Sequence, residues 1–414
     1  MERTEHATCL GCGCACDDIT VVVNAGTIAE TINACPLGRT WFGDGKVPAE
    51  VRSDGHAVPL KRAIADAATL LGAARRPLIY LAPEITSEAQ RATVAIADRL
   101  GAALDSPTSE LANGILAAQR RGRAGATLGE IRQRADLIVF WGVDPSVRYP
   151  RFNSRYAVDP IGLQAPDGRN SRTLVAVDVG PSRGPEGADQ RIAVAPGEEL
   201  DALGAMRAAV LGRATGIPPW GPVETLALRM AQARYTAIVH DAEPGELTPD
   251  ADRAEALIAL AQALNEPSRC ALSSLRAGGN RSGADLVLTW QTGFPMAVDF
   301  APGYPSYRPR DGAAEWLRRR EIDAALVVGS AAGLPAAVAQ GLAALPTAVI
   351  GPRASAAPFK PAIAVDTGTA GIHESGTAFR MDDVPLPLRA ALHRSAPLST
   401  LTVVRALAER LGGR

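Results

Sequence analysis

Short apolar runs alternate with longer helical patterns along most of this chain, from Pro59 to the C-terminus. The apolar runs span residues 77–81, 135–142, 173–178, 236–240, 270–272, 324–329, 347–351 and 361–365. Continuous apolar strands between helices belong in parallel sheets that are covered on both faces. The helical patterns run from a cap at Ser87 to about Leu100, from Glu198 to about Arg213, from Ala251 to Leu264, and onward from about Ser399. The pattern therefore predicts an α/β fold built on parallel sheets.

The alternation stops between residues 276 and 311, which are rich in Gly, Pro and aromatic residues. Long connections without secondary structure are uncommon and usually functional. We therefore expect an irregular segment here that lines a cleft or an interface. Regular alternation then returns, and residues 376–381 predict a hairpin-like stretch before the last helix.

The first fifty residues have a different texture, with many cysteines and short β-branched runs. Residues 19–23 and 27–28 flank Asn24-Ala25-Gly26, which predicts a hairpin. The core of such a segment is too small for independent stability. We expect it to form a small Cys-rich β lobe attached to the larger α/β body.

Four cysteines in this lobe have the spacing of a metal site: Cys9, Cys12, Cys16 and Cys35. Two thiolates at C-x2-C reach one metal centre from a single turn, and the third and fourth complete its coordination. The alternative is that they are ordinary small buried residues. A disulfide set is disfavoured, because no secretory signal precedes these closely spaced thiols. Cys14 is a spare thiol within the same motif.

Composition narrows the class of protein. The chain has 414 residues, of which 47% are hydrophobic, and a formal net charge of -1. This length is typical of two or three domains, and the near-neutral charge indicates neither a nucleic acid nor a membrane surface as partner. No apolar run approaches the roughly 18 residues that span a bilayer. Since the first six residues are too polar to open a signal peptide, we expect a cytoplasmic protein.

Three arginines form the other candidate site. Arg148, Arg151 and Arg155 have the i, i+3 and i+7 spacing of one helical face and could clamp a carboxylate-rich ligand. The alternative is a solvated helical face. The chain contains neither a phosphate-loop motif nor an H-E-x-x-H motif.

Five separated blocks, in this order, resemble the beta subunit of formylmethanofuran dehydrogenase: Thr31–Cys35, Ala135–Gly142, Arg172–Asp178, Thr289–Pro295 and Glu374–Met381. The cysteine spacing resembles the broader class of molybdopterin oxidoreductases, whose first lobe binds a [4Fe-4S] cluster. The resemblance implies three lobes. These are a Cys-rich lobe at 1–50, a doubly wound lobe from 51–105 plus 276–414, and a second doubly wound lobe inserted at 106–275. The family's C-terminal β-barrel does not fit in this length and would come from a separate subunit.

One departure from the family bears on function. Redox-active relatives carry a cysteine or selenocysteine ligand to tungsten or molybdenum in the segment that aligns with Ser106–Gly114, and this chain has no cysteine there. Ser109 or Glu110 would offer a harder ligand than a thiolate. The stretch Asp178–Pro181 has also lost the Pro-Arg pattern that relatives offer to the pterin dinucleotide. We therefore expect no molybdopterin.

A chain of this family without the metal ligand resembles the beta subunit of the formyltransferase/hydrolase complex of methylotrophs. In their one-carbon metabolism, that complex serves formaldehyde oxidation and releases formate from formyl-tetrahydromethanopterin through a furan-type carrier. The resemblance implies a structural subunit with no catalytic residues of its own, assembled with a hydrolase subunit, a formyltransferase subunit and a further scaffold subunit. A carrier tail with glutamates would be the ligand of the three arginines.

Two other functions remain open. One is an active dehydrogenase subunit with a tungsten or molybdenum pterin, and the other is a free-standing iron–sulfur carrier, which the long segment at 276–311 disfavours. The four cysteines would hold a [4Fe-4S] cluster or zinc, or would be vestigial.

Overall fold

The computed structural model describes residues 1–111, 113–213, 219–243, 251–392 and 398–412. Its strands are β1 (Glu2–Ala7), β2 (Ile19–Asn24), β3 (Thr27–Ile32), β4 (Val51–Ser53), β5 (His56–Ala57), β6 (Pro77–Leu81), β7 (Ala103–Asp105), β8 (Leu137–Trp141), β9 (Thr173–Val179), β10 (Gln190–Val194), β11 (Thr236–Asp241), β12 (Cys270–Leu275), β13 (Val298–Asp299), β14 (Ser306–Tyr307), β15 (Ala324–Val328), β16 (Thr347–Gly351), β17 (Ile363–Asp366), β18 (Gly376–Phe379) and β19 (Pro385–Leu388). Its α-helices are α1 (Pro36–Phe42), α2 (Leu60–Ala73), α3 (Ser87–Leu100), α4 (Asn113–Arg121), α5 (Leu128–Arg134), α6 (Glu199–Val210), α7 (Gly221–Gln232), α8 (Ala251–Leu264), α9 (Arg281–Thr292), α10 (Ala313–Arg318), α11 (Ala336–Leu342) and α12 (Thr400–Gly412). The predicted α/β class with parallel sheets is confirmed.

The chain folds into two compact units. Unit 1 comprises Met1–Glu110 and Ala277–Arg414, and unit 2 comprises Leu111–Arg276. The finer division into three lobes stays a prediction. No helix among the described residues is long and apolar enough to cross a membrane.

Unit 1 contains a nine-stranded sheet in the order β14-β13-β7-β6-β15-β16-β17-β4-β5. Its five central strands, β7 to β17 in that order, are parallel. The chain runs from β6 to β7 on one side and from β15 to β16 on the other, so the strand order reverses between β6 and β15. Such a reversal opens a crevice at the carboxyl ends of the strands, where ligands of α/β proteins bind.

The main core of unit 1 lies between this sheet and helices α2, α3, α9 and α12. It includes Leu71, Ile96, Val287, Leu326 and Leu407, all buried. Helix α3 begins one residue earlier than a cap at Ser87 would allow. Thr86 is the N-cap, and its hydroxyl accepts a hydrogen bond from the Ala89 amide at 3.2 Å.

The prediction of one long irregular segment at 276–311 is wrong in its centre, where α9 occupies Arg281–Thr292. Apolar residues at helical spacing, Ala284, Val287 and Leu288, face the core. The Gly-rich and Pro-rich flanks on either side concealed this short helical pattern.

Two small antiparallel sheets complete unit 1. The predicted hairpin is confirmed, with β2 joined to β3 through left-handed Ala25 and Gly26, and β1 pairs with the other edge of β2. Strands β18 and β19 form the second hairpin. A small apolar cluster joins this hairpin to the cysteine region, with Leu10 and Ala15 packed among Ala378, Leu386 and Leu388.

Unit 2 contains five parallel strands in the order β10-β9-β8-β11-β12. Helices α6, α7 and α8 contribute Met206, Leu226 and Leu260 to a core against strand residues such as Val139 and Ile238. The strand order reverses between β8 and β11, so their carboxyl ends form a crevice of the same kind in this unit.

Candidate functional site: the cysteine loop and the two sheet edges

The first candidate site is the cysteine loop, residues 9–16. Two backbone hydrogen bonds shape it: the Cys9 amide donates to the Cys16 carbonyl at 2.9 Å, and the Ala15 amide donates to the Cys12 carbonyl at 3.2 Å. Cys35 arrives after β3 as the N-cap of α1. The loop precedes β2 and the helix follows β3, so both lie at the open end of the antiparallel β2–β3 hairpin.

Gly38 marks the point where two of the predicted ligands meet. A Cβ atom on Gly38 would lie 3.3 Å from the sulfur of Cys9 and 3.7 Å from the sulfur of Cys35. Each sulfur also accepts a backbone hydrogen bond, Cys9 from Gly11 and Cys35 from Gly38, both at 3.4 Å. The bond from Gly11 acts against the effect of burial on the pKa of Cys9, because it stabilises negative charge on sulfur.

The cysteine thiols of this loop alter one another's pKa values through electrostatic interactions and a hydrogen bond. Burial raises the pKa of Cys9, and charge on Cys12, Cys16 or Cys35 would raise it further. A hydrogen bond from the Cys14 thiol lowers the pKa of Cys12, and the same bond raises the pKa of Cys14. Binding of a metal would therefore have to displace protons from buried sulfur.

The metal site at Cys9, Cys12, Cys16 and Cys35 stays a prediction. Across the described ranges, no three His, Cys, Asp or Glu side chains are grouped so that they could hold a metal ion. The cysteines are nevertheless near neighbours, as the shared contacts at Gly38 and their mutual effects on the pKa of Cys9 indicate.

Backbone from distant parts of unit 1 supports the cysteine loop. The Gly279 amide donates to the Leu10 carbonyl at 2.8 Å, and the Met381 amide donates to the Gly13 carbonyl at 3.0 Å. Gly278 packs so closely that a Cβ on it would overlap the Leu10 carbonyl oxygen and lie 2.7 Å from the Cys12 nitrogen. Sequence reasoning missed this glycine, because its contact joins residues far apart in the chain.

The second candidate site is the segment after β7, where the sequence resemblance predicts the position of a metal ligand in redox-active members of the family. Asp105 ends the strand and is fully buried. Its carboxylate accepts hydrogen bonds from the Ala313 amide at 2.6 Å, the Ala297 amide at 3.0 Å and the Ser109 hydroxyl at 2.7 Å. Burial nevertheless raises the pKa of Asp105 to about 6.

These contacts bear on the alternative ligands. The Ser109 hydroxyl is engaged with Asp105 and with the Ser106 carbonyl at 3.2 Å. Glu110 is exposed, and loss of hydration raises its pKa. Glu110 therefore remains the more accessible of the two predicted alternative ligands.

Asp178 lies near the end of β9 in unit 2, at the family-like position that has lost its Pro-Arg pattern. It accepts hydrogen bonds from Arg191 at 2.6 Å, from Arg183 at 3.0 Å and from the Gly184 amide at 2.9 Å. Burial opposes its charge, yet these bonds lower the pKa of Asp178. The carboxylate is thus occupied by groups of its own unit.

The prediction that Arg148, Arg151 and Arg155 line one helical face is wrong. The chain forms turns around Arg148 and Arg151, and only Arg155 lies in the short π-helix Asn153–Ala157. Proline at position 150 prevents a continuous helix. Arg148 forms an ion pair with Asp241 at the carboxyl end of β11. Binding of an acidic tail by these arginines stays a prediction.

His240 also lies at the carboxyl edge of the sheet in unit 2. Its Nε2 atom is 2.8 Å from the hydroxyl of Ser274, which occupies the paired position on β12. Burial, reinforced by Arg123 and Arg253, lowers the pKa of His240 to about 4. The imidazole is therefore neutral at pH 7 and acts as a hydrogen-bonding group.

We expect a His240→Gln variant to flatten the acid side of the stability profile. The pKa of His240 is 6.5 in the unfolded chain and about 4 in the folded protein. The neutral imidazole therefore contributes fully to the free energy of unfolding above pH 6.5, and this contribution is lost as the pH falls through about 4. The full effect is about 3 kcal/mol. Urea denaturation between these pH values measures it. Ser274→Ala keeps the titrating group and should keep the slope, whereas equal slopes in wild type and His240→Gln would contradict the assignment.

The fold and these sites define a class: an α/β protein with two sheets of reversing strand order and a four-cysteine motif at its start. No family model matches the chain. It is 32% identical to the beta subunit of tungsten-containing formylmethanofuran dehydrogenase 2 of Methanocaldococcus jannaschii, over 95% of this chain and 94% of that protein. The same subunit of Methanococcus maripaludis is 31% identical over 95% and 94%. The beta subunit of the formyltransferase/hydrolase complex Fhc of Methylorubrum extorquens is 31% identical over 67% of this chain and 73% of that protein.

A solved structure agrees with these sequence relatives. A chain of the formyltransferase/hydrolase complex of Methylorubrum extorquens, crystallised with methylofuran, superposes with a TM-score of 0.73 and 25% identity. The match covers 88% of this chain and 99% of that one. This chain belongs to the beta-subunit family of formylmethanofuran dehydrogenase, as the five sequence blocks predicted.

Proposed function

We propose that this chain is a structural subunit of a cytoplasmic formyltransferase/hydrolase complex. That complex would convert formyl-tetrahydromethanopterin to formate through a furan-type carrier, with the transfer and hydrolysis sites in sister subunits. Similarity to the Fhc beta subunit in sequence and in fold supports this assignment. The chain itself would carry no redox centre at the sheet edge.

The observation that carries the proposal is the missing thiolate after β7. Residues 106–114 contain no cysteine, and tungsten and molybdenum prefer soft sulfur ligands at such sites. The Ser109 hydroxyl is already bonded to Asp105. In unit 2, Asp178 is held by two arginines of its own unit. These residues do not fit a pterin-bound metal, so we assign no reaction step to one.

We also propose that the cysteine lobe keeps a structural metal. Cys9, Cys12, Cys16 and Cys35 supply the four sulfur ligands that a [4Fe-4S] cluster or a zinc ion requires. The N–H···S bonds from Gly11 and Gly38 suit thiolate ligands. When bound, either group would tie the small sheet to the start of α1. The wider architecture would then be that of a molybdopterin oxidoreductase reduced to a scaffold.

A second function is favoured by one specific observation. The two tungsten-containing relatives match 95% of this chain, against 67% for the Fhc beta subunit. An active dehydrogenase subunit with a tungsten or molybdenum pterin is therefore the competing function, with exposed Glu110 as its most accessible ligand.

Elemental analysis of the complex purified without oxygen distinguishes the two functions. We expect neither tungsten nor molybdenum, together with zinc or about four irons per chain. Stoichiometric tungsten or molybdenum would overturn the scaffold function and support the dehydrogenase.

Two cysteine variants separate the metal site from general loss of folding. Cys35→Ser should release the iron or zinc, because it removes one sulfur ligand. Cys270→Ala is the matched control, since Cys270 is buried in unit 2 and outside the motif. Equal metal content in both variants, or no iron or zinc in the wild type, would make the four cysteines vestigial.

A further inference from the structure

The three-stranded antiparallel sheet β1-β2-β3 of unit 1 has two edge strands, β1 and β3. Within the described part of the chain, β3 pairs with β2 along one side only. An edge strand presents backbone N–H and C=O groups that can pair with another chain. The pairing with β2 is irregular at Ala29 and regular from Glu30 to Ile32, so the C-terminal half of β3 is a regular edge.

A groove runs along this edge. Its volume is about 330 Å³, and it is lined by Ile28, Ala29, Glu30 and Thr31 of β3 together with Arg39 and Gly43 beside it. One end of the edge already pairs with the chain itself, because the Ile28 amide donates to the Asp44 carbonyl at 3.0 Å. The groove thus combines a strand edge on one wall with the α1 helix on the other.

The two edges of the sheet differ in how they are protected. Strand β1 carries Glu2, Arg3, Glu5 and His6, its pairing shifts after Thr4, and the Glu5 carbonyl accepts a hydrogen bond from Arg389. Charges and irregular pairing are the usual means of preventing strand addition. Strand β3 has a single charged residue, Glu30, and neither lysine nor proline. Strand β3 has its own irregularity at Ala29 and a bond to the chain at Ile28, so the edge open to addition is the stretch from Glu30 to Ile32, whereas the charges of β1 protect that strand.

We propose that an extended segment of a sister subunit adds a fourth strand to this sheet along β3. The inference rests on the proposed function, because it needs a hetero-oligomeric complex. Backbone hydrogen bonds would supply the register and side-chain contacts the specificity, as in other cases of strand addition. The groove sets the charges of its occupant. Exposed Glu30 calls for a basic side chain on the added strand, and exposed Arg39 calls for an acidic one.

Photo-cross-linking in the intact complex tests the inference. A benzophenone amino acid in place of Ala29 would lie in the groove, and the same amino acid in place of Arg3 would lie on the protected edge. We expect Ala29 to yield an adduct with one sister subunit and Arg3 to yield none with that segment. The inference would be overturned if the probe at Ala29 gave no adduct although native mass spectrometry showed an intact complex. An adduct with a second copy of this chain would overturn it as well. If no sister subunit copurifies, the proposed function fails instead.

A charge reversal provides a second measurement that does not depend on the probe. Glu30→Arg should weaken retention of the sister subunit roughly ten-fold, because it places like charges across the groove. Glu2→Arg on β1 is the matched control and should retain it as the wild type does. Equal retention by both variants would overturn the assignment of β3.

Discussion

A Gly278→Ala variant should lose the arrangement of the cysteine loop. The added methyl group would overlap the Leu10 carbonyl oxygen and lie 2.7 Å from the nitrogen and 2.8 Å from the Cα of Cys12. Because these atoms are backbone, they cannot rotate away as a side chain would. We expect a loss of roughly 3 kcal/mol, the upper end of the cost of overpacking, together with loss of any iron or zinc. Denaturation and metal analysis of the same sample measure both effects.

The control for this variant is a glycine with free space around it. A Cβ on Gly204, within α6, would meet no atom within 4 Å. Gly204→Ala should therefore be neutral, or stabilising by about 0.5–1 kcal/mol, as expected for a helical glycine. If both variants retained wild-type stability and metal content, the contact at Gly278 would not support the loop.

An Asp105→Asn variant should destabilise unit 1 at pH 7 by about 1 kcal/mol, because the roughly 4 kcal/mol lost when buried donors are left unpaired exceeds the roughly 3 kcal/mol that burial of the ionised carboxylate costs there. The carboxylate accepts two amide hydrogen bonds and one from a hydroxyl. Asparagine offers one acceptor oxygen and turns a donor toward a group that also donates. Ser109→Ala removes only one of these bonds and should cost about 1 kcal/mol. Urea denaturation ranks the three proteins, and an Asp105→Asn variant as stable as the wild type would contradict the assignment.

The same substitution should change the pH dependence of stability. Burial raises the pKa of Asp105 from 3.8 to about 6, so the folded state holds this proton over a range where the unfolded state has released it. Stability from this group is therefore greatest at low pH, and falls by up to about 3 kcal/mol as the pH rises from the lower value to the higher. Asp105→Asn removes that fall. Equal slopes in the wild type and Asp105→Asn would show that the carboxylate titrates normally, and the opposite slope difference would show that its pKa is lowered.

The sequence predicted the strands well because apolar runs such as Leu137–Trp141 are buried on both faces in this fold. Helix α8 spans the residues that its spacing predicted, Ala251–Leu264. The predicted helical face of Arg148, Arg151 and Arg155 was wrong for a local reason, because Pro150 lies within the i, i+3, i+7 pattern and prevents a continuous helix. Spacing alone describes one face of an ideal helix and does not establish that the backbone can form it.

The candidate site could be predicted only in part. The cysteine motif is visible because its residues are close in sequence. Asp105 is not, because its partners Ala297 and Ala313 lie 192 and 208 positions away. Gly278 likewise acts on the cysteine loop through a contact that no local pattern contains. Pairs that meet only in the folded chain leave no spacing to recognise.

The division of unit 1 into two stretches of chain sets an order of events during synthesis. Ribosomes make the cysteine loop early, yet its supports at Gly279 and Met381 emerge more than two hundred residues later. Strand β6 likewise waits for β15, its parallel neighbour. Unit 2 is a continuous stretch and can fold as soon as it leaves the ribosome. The thiols of the cysteine loop therefore stay exposed to solvent through most of translation. A metal that bound before the chain left the ribosome would enter a loop that its later supports had not yet closed.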